Sequence, residues 1–272
     1  MNSKEALARL AERDISVFTV EDLQETLEIN RPSAHNLATK LEKSNLARRI
    51  KRCLYALTPP DHWLAPSSLP TNWYLAASAV VQSQPHYLSH YTAMEIHQMT
   101  QHPLRTVFVS VTHQRRDVRV QSILFRYVTV AEHRFFGAEP QFIDESPVQV
   151  STLERTLIDG IDRPDLCGGL EEVYRGMRRR VSDVNTDRLL NYLRKLDQPV
   201  LTKRLGFMLE LAGFGDWTAL NEIQEIAGRL KRYVPLAKGK AFGKIPQSPQ
   251  RDRRWELWIN VDVDELRDSA VS

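Results

Sequence analysis

The segment from Asn30 to Leu57 changes its periodicity halfway, and few folds accommodate that change. Up to Lys43 the apolar residues Ala34, Leu37, Ala38 and Leu41 recur at i, i+3, i+4 and i+7, which places them on one buried helical stripe. Asn30-Arg31-Pro32-Ser33 starts the helix, because the φ of Pro32 is preset for a first turn and its missing N–H costs nothing there. The opposite face then carries Asn36, Thr39, Lys40 and Lys43, flanked by Ser33 and His35. After Ser44-Asn45, the stretch Leu46 to Leu57 is too short and too β-rich at its end for another amphipathic helix. It predicts a hairpin with its tip near Lys51 to Cys53, carrying Arg48, Arg49, Lys51 and Arg52.

The preceding residues supply two shorter helices. Ala6, Leu7 and Leu10 mark one over about Ser3 to Arg13, and Val17-Phe18 form a short extended step. Thr19-Val20-Glu21-Asp22 resembles a capping box for a second, acidic helix with Leu23 and Leu27 inward. Three short helices followed by a basic hairpin predict a winged helix-turn-helix over residues 1–58. Charge follows the same division: residues 1–29 carry a balance of −4 and residues 30–58 one of +6, inside a chain whose net charge is only +3. This predicts a domain for double-stranded DNA. Ser33, His35, Asn36 and Thr39 are expected at base edges, and Arg31, Lys40, Lys43, Arg48, Arg49, Lys51 and Arg52 at phosphates. Two plainer readings stay open: an amphipathic surface helix, and a protein-contact winged helix whose wing is incidentally basic.

Thr58-Pro59-Pro60 closes this segment, and a Pro-rich linker is expected over 59–70, followed by a larger domain over 71–272. Trp73 to Gln82 reads as a buried helix, with another from about Ser89. Thr106 to Val111 and Ile123 to Val128 read as strands joined as a hairpin through Arg115-Arg116-Asp117, with shorter strands near Phe142 and Val148. Ser151-Thr152-Leu153-Glu154 reads as a capping box for a helix that Pro164 stops. Helices are also expected over Gly169 to Arg180, Thr186 to Leu196 and Thr202 to Ala212, then a late strand over Trp255 to Val261. The fold class is therefore α/β in the mixed α+β sense: a winged helix-turn-helix followed by a larger mixed domain.

Several of these segments carry a resemblance. Phe18 to Leu57, Tyr91 to His97, Pro147 to Asp159, Lys203 to Glu210 and the closing Trp255 to Asn260 strand are similar, in this order, to the AbiEi antitoxin family. That family typically has Gly at the wing turn, where this chain has Cys53. The resemblance implies a transcriptional autorepressor that binds operator repeats of its own promoter. It also implies the antitoxin of an abortive-infection pair, whose C-terminal domain is needed to neutralise a nucleotidyltransferase-like toxin. A stand-alone regulator whose C-terminal domain senses a ligand or protein partner is the competing expectation.

Other classes find little support. His86, His90 and His97 have a spacing that suggests metal ligands, but Pro85 interrupts the segment and no carboxylate or cysteine completes a zinc motif, so locally hydrogen-bonded histidines are expected. Asp144, Glu145, Glu154 and Asp159 lack a nuclease-like lysine, and neither a phosphate loop nor a nucleophile elbow is present, so no catalytic residue, cofactor or metal is expected. The longest apolar run, Tyr74 to Val81, is far too short to span a bilayer. A charged start without a signal-peptide pattern, together with only two isolated cysteines, Cys53 and Cys167, fits a cytoplasmic protein. Residues 227–254 carry a balance of +8. Arg229, Lys231, Arg232, Lys238, Lys240, Lys244, Arg251, Arg253 and Arg254 form a second basic patch, read either as a solvated loop or as a surface for flanking DNA, RNA or an acidic toxin.

Overall fold

The computed structural model describes residues 3–13, 15, 17–58, 73–81, 84–102, 105–120, 123–143, 146–237 and 250–269. The expected linker over 59–70 lies outside the described residues. The fold is mixed α and β. Two compact units interleave along the chain: the first comprises Met1–Leu88, Arg105–Thr129 and Pro140–Gln149, the second Ser89–Leu104, Val130–Glu139 and Val150–Ser272. This division differs from a simple succession of 1–58 and 71–272. Strand pairing is the reason, since residues 105–129 return to pair beside residues 86–88.

The first unit begins with α1 (Ser3–Glu12), β1 (Val17–Thr19), α2 (Val20–Leu27), α3 (Arg31–Lys43), β2 (Ala47–Lys51) and β3 (Leu54–Leu57). The helices α2 and α3 fit a helix-turn-helix. The capping box at α2 forms as its residues predict: the Thr19 hydroxyl accepts from Asp22 N at 3.0 Å, and Asp22 accepts from Thr19 N at 2.6 Å. Three strands order as β1-β3-β2. Leu10, Phe18, Leu23, Ala34, Leu37, Ala38, Leu41 and Tyr55 are buried together, so the stripe predicted for α3 is its inward face.

Also in this unit are α4 (Trp73–Val81), β4 (His86–Leu88), β5 (Thr106–Val111), β6 (Val118–Val120) and β7 (Ile123–Thr129). They contribute to a six-stranded sheet with β8 (Ala138–Ile143) and β9 (Ser146–Ser151), in the order β6-β7-β5-β4-β9-β8. The hairpin expected between Thr106 to Val111 and Ile123 to Val128 is not formed: β5 and β7 run parallel, in register from Thr106↔Leu124 to Val111↔Thr129. A parallel neighbour needs a longer crossover than a tight turn, and here that crossover contains β6, the antiparallel partner of β7. Arg115 belongs to the crossover and donates to Val81 O at 2.7 Å, with its guanidinium 5.2 Å above the Tyr127 ring. All of β5 except Thr106 is buried, as expected of a strand covered on both faces.

The second unit is largely helical: α5 (His90–Ile96), α6 (Leu153–Asp162), α7 (Leu170–Arg180), α8 (Thr186–Leu196), α9 (Pro199–Ala212), α10 (Trp217–Ala227) and α11 (Val263–Ser269). Its sheet, ordered β10-β12-β11, contains β10 (Val234–Pro235), β11 (Gln250–Asp252) and β12 (Leu257–Ile259). The helix over 153–162 does not use Ser151 as its cap. β9 extends through Ser151, so the N-cap moves to Thr152, whose hydroxyl accepts from Arg155 N at 3.3 Å. Glu154 is thereby released from a capping box and accepts from Asn185 N at 2.8 Å, just ahead of α8.

Glu154, Arg155 and Asp159 of the 147–159 segment and Lys203 and Arg204 of the 203–210 segment are buried. Arg155, 1% exposed, donates through Nε to both Asp159 oxygens and through a terminal nitrogen to the carbonyls of Arg134 and Phe136. Lys203 donates to the carbonyls of Leu230 and Arg232 and pairs with Glu256, while Arg204 donates to Pro235 O. These buried cations tie loop backbone to helices, which is a structural rather than an interfacial role.

Candidate nucleic-acid interface

The exposed side of α3 is set by its inward stripe. With Ala34, Leu37, Ala38 and Leu41 buried, Arg31, Ser33, His35, Asn36, Lys40 and Lys43 are exposed and Thr39 is half-buried. Asn30 caps the helix, accepting from Ser33 N at 3.0 Å, so the Ser33 amide is taken up by the cap while the residue itself is exposed. Glu28, in the left-handed region at φ 53°, ends α2, and Ile29 and Asn30 complete the turn into α3.

The hairpin of β2 and β3 presents Arg48, Arg49 and Arg52. Strict alternation from the buried Ala47 would turn Ile50 to solvent. An irregularity between Arg49 and Lys51 returns Ile50 to the interior while Arg49 stays exposed. Beneath the hairpin, Phe18 and Tyr55 stack with ring centroids 5.6 Å apart. Burial raises the Tyr55 hydroxyl above its ordinary pKa, partly opposed by the nearby Arg49 charge.

The assigned residues do not all stand equally. Lys40, Lys43, Arg48 and Arg52 have no ion-pair partner among the described residues. Arg31 pairs with Glu21 of α2 at 3.0 Å, but both side chains are more than half exposed, and such a pair contributes little and yields readily to a phosphate. Thr39 donates its hydroxyl to His35 O at 2.9 Å, so toward a base edge it offers only acceptor capacity. Lys51 lies in β2, and its side chain is outside the described residues.

Cys53 occupies the hairpin turn at φ 62°, the left-handed conformation that suits the Gly expected there. A non-glycine residue is strained in that region by about 1–2 kcal/mol, offset by the greater chain entropy of glycine in the unfolded state. Cys53→Gly is therefore expected to stabilise the first unit by about 1 kcal/mol, read as a higher thermal midpoint. A lower midpoint would mean that packing of the partly buried thiol against the core outweighs the backbone strain.

The second basic patch separates into unlike groups. Arg229 pairs with Asp197 at 2.7 Å. Arg254 reaches Glu210 at 3.4 Å, donates to Asn221 at 3.1 Å and covers the Trp217 ring at 5.1 Å, so it packs the surface. Lys238, Lys240 and Lys244 lie outside the described residues. Lys231, Arg232 and Arg253 are exposed and have no ion-pair partner among the described residues. Arg251 stands 4.4 Å over the Trp258 ring and 5.8 Å over Tyr233. These aromatic partners were not foreseen from the sequence, although Tyr233 lies within the basic run, Trp258 follows it by four residues, and a period-2 reading of 255–261 turns Trp258 away from Leu257 and Ile259.

The three spaced histidines do not converge. His86 bonds Gln84 O at 2.8 Å, His90 bonds the Ser89 hydroxyl at 2.9 Å, and His97 bonds Ser151 O at 2.6 Å. Burial lowers the pKa of both His90 and His97, so each is favoured as a neutral hydrogen-bonding ring. Among the described residues no three His, Cys, Asp or Glu side chains form a metal-binding group, and no helix is long and apolar enough to cross a membrane.

No family model matches the chain, and no curated protein matches it. Among solved structures the chain is similar to the crystal structure of the RV2827C protein from Mycobacterium tuberculosis. The TM-score is 0.65 and the sequence identity 15%, with the match covering 98% of this chain and 95% of that one. At that identity the likeness is one of fold.

Proposed function

We propose that the chain is a DNA-binding transcriptional autorepressor and the antitoxin of a toxin-antitoxin pair, with α1 to β3 acting as a winged helix on operator repeats. The observation that carries the DNA reading is the joint exposure of Ser33, His35, Asn36, Lys40 and Lys43 on α3 and of Arg49 and Arg52 on the hairpin that follows, with Arg48 half-buried beside them. A helix of this width fits the major groove, with short polar groups toward base edges and cations toward flanking phosphates. The acidic α2 remains the scaffold, since a phosphate surface would repel it. The antitoxin reading is supported by the order of the motifs in residues 91–97, 147–159, 203–210 and 255–260, and its partner would be a nucleotidyltransferase-like toxin.

Salt dependence tests the DNA reading directly. If Lys40, Lys43, Arg48, Arg49, Lys51 and Arg52 all meet phosphates, log K for the chain's own promoter falls with log salt at a slope on the order of −5. Replacing Arg48, Arg49, Lys51 and Arg52 together by Ala is expected to flatten it by roughly 3 to 4 units. An unchanged slope would remove the hairpin from the interface. The same variant, co-expressed with an adjacent nucleotidyltransferase-like toxin, is expected to lose repression and keep neutralisation. Failure of the unaltered chain to rescue growth would leave a regulator without antitoxin activity.

A further inference from the structure

The three-stranded sheet of the second unit has two unlike faces. Val234, Leu257 and Ile259 are buried in the helical core. Trp258, pointing the other way, is paired across the strands with Arg251 on one side and Pro235 on the other. Tyr233, 36% exposed, lies with its ring centroid 5.7 Å from that of Trp258 at an interplanar angle of 55°. Two aromatic rings and a guanidinium thus share the outward face.

Three cations near this group, Lys231, Arg232 and Arg253, are exposed and have no ion-pair partner among the described residues. Lys231 and Arg232 immediately precede Tyr233, and Arg253 follows Arg251 by two residues. The acids adjoining the same strands are committed elsewhere: Asp252 accepts from Trp255 N at 2.7 Å, and Glu256 pairs with the buried Lys203. Lys231 and Arg253 also line a concavity of about 610 Å³ whose wall includes Trp255 and Gln224 together with the carboxylates Glu225 and Glu256. A cation serving only to cover Trp258 would be sufficient alone. Exposed cations without ion-pair partners suit a polyanion, and the exposed Tyr233 ring beside the half-buried Trp258 ring suits one whose flat groups are available for stacking.

We propose that this sheet face binds single-stranded RNA. Bases would stack on Tyr233 and on the Trp258–Arg251 pair, with phosphates held by Lys231, Arg232 and Arg253. A duplex keeps its base faces stacked internally and offers the rings nothing, whereas an unpaired strand presents a π-face at every nucleotide. RNA is the commoner unpaired strand in a cell. The contacts read no 2′-hydroxyl, so single-stranded DNA of the same sequence is expected to bind within a few-fold. The surface is separate in sequence from α3 and the hairpin, and its activity does not depend on theirs.

Fluorescence anisotropy with a labelled oligouridylate of about 12 nucleotides, within the length such a surface covers, tests the proposal on the full chain. The expected result is saturable, salt-sensitive binding, retained when Arg48, Arg49, Lys51 and Arg52 are Ala. Tyr233→Leu and Trp258→Leu keep apolar cover while removing a ring, and each is expected to weaken binding on the order of tenfold. Should Trp258→Leu disturb the sheet, seen in its thermal midpoint, Tyr233→Leu still decides, because Tyr233 precedes the strand. Binding lost only with the hairpin variant, unaffected by ring removal, equally tight for duplex RNA, or not saturable would overturn the proposal.

Discussion

Gly206→Ala is expected to destabilise the second unit by about 3 kcal/mol, although in an unobstructed helix the same change would stabilise by about 1 kcal/mol. The sign is decided by Trp255. A Cβ on Gly206, in the middle of α9, would stand 2.7 Å from Cε3 of that ring and closer still to Cζ3 and Cη2. The ring cannot move aside, being 1% exposed, with its Nε1 donating to Glu210 Oε2 at 2.7 Å and its backbone N donating to Asp252 at 2.7 Å. Glu210 lies one turn beyond Gly206 on the same helix, so the indole is fixed across the helix surface at both ends. Urea unfolding followed by circular dichroism measures the loss. Gly206→Ala combined with Trp255→Leu should be more stable than the sum of the two single changes implies, because the smaller side chain vacates the occupied space. Strict additivity, or a stabilised single variant, would contradict the packing described.

Arg155→Met is expected to cost about 3–5 kcal/mol, since it removes one partner of a buried ion pair. Asp159 would keep its charge in the interior without the guanidinium that now meets both its oxygens at 2.9 and 3.0 Å. The carbonyls of Arg134 and Phe136 would also lose a donor. Changing Asp159 to Leu in the same chain should recover much of the loss, because an apolar pair of similar volume avoids burying an unpaired charge. The measurement is again the urea midpoint of the single and double variants. A loss below about 1 kcal/mol for Arg155→Met would mean that water reaches the site and screens Asp159.

These two sites also mark where sequence reading reached its limit. Leu153, Leu157, Ile158 and Ile161 were recognisable as an inward helix face from their spacing alone, and all four are buried. Arg155 and Asp159 share that helix four residues apart, a separation that ordinarily describes a solvent-exposed pair. Only the packing of neighbouring segments over them makes the pair interior. Gly206 likewise has no local reason to be glycine: its partner stands 49 positions away along the chain. The hairpin expected between residues 106–111 and 123–128 failed for a related reason, since local propensity identifies strands without specifying whether neighbours run parallel. The α10 helix, led by Asp216 as its N-cap, was missed despite a legible cap.

Within the candidate interface the balance is different. Residue spacing and charge determined α3, its buried stripe, the capping box of α2 and the basic hairpin, because these features depend on contacts only a few residues apart. The tertiary structure decided that Thr39 turns its hydroxyl to its own helix, that Arg31 leans on Glu21, and that the second basic run divides into packed, paired and unpartnered cations. It also placed Tyr233, Trp258 and Arg251 together. A side chain's chemistry is written in the chain, whereas its availability depends on which distant segments fold against it.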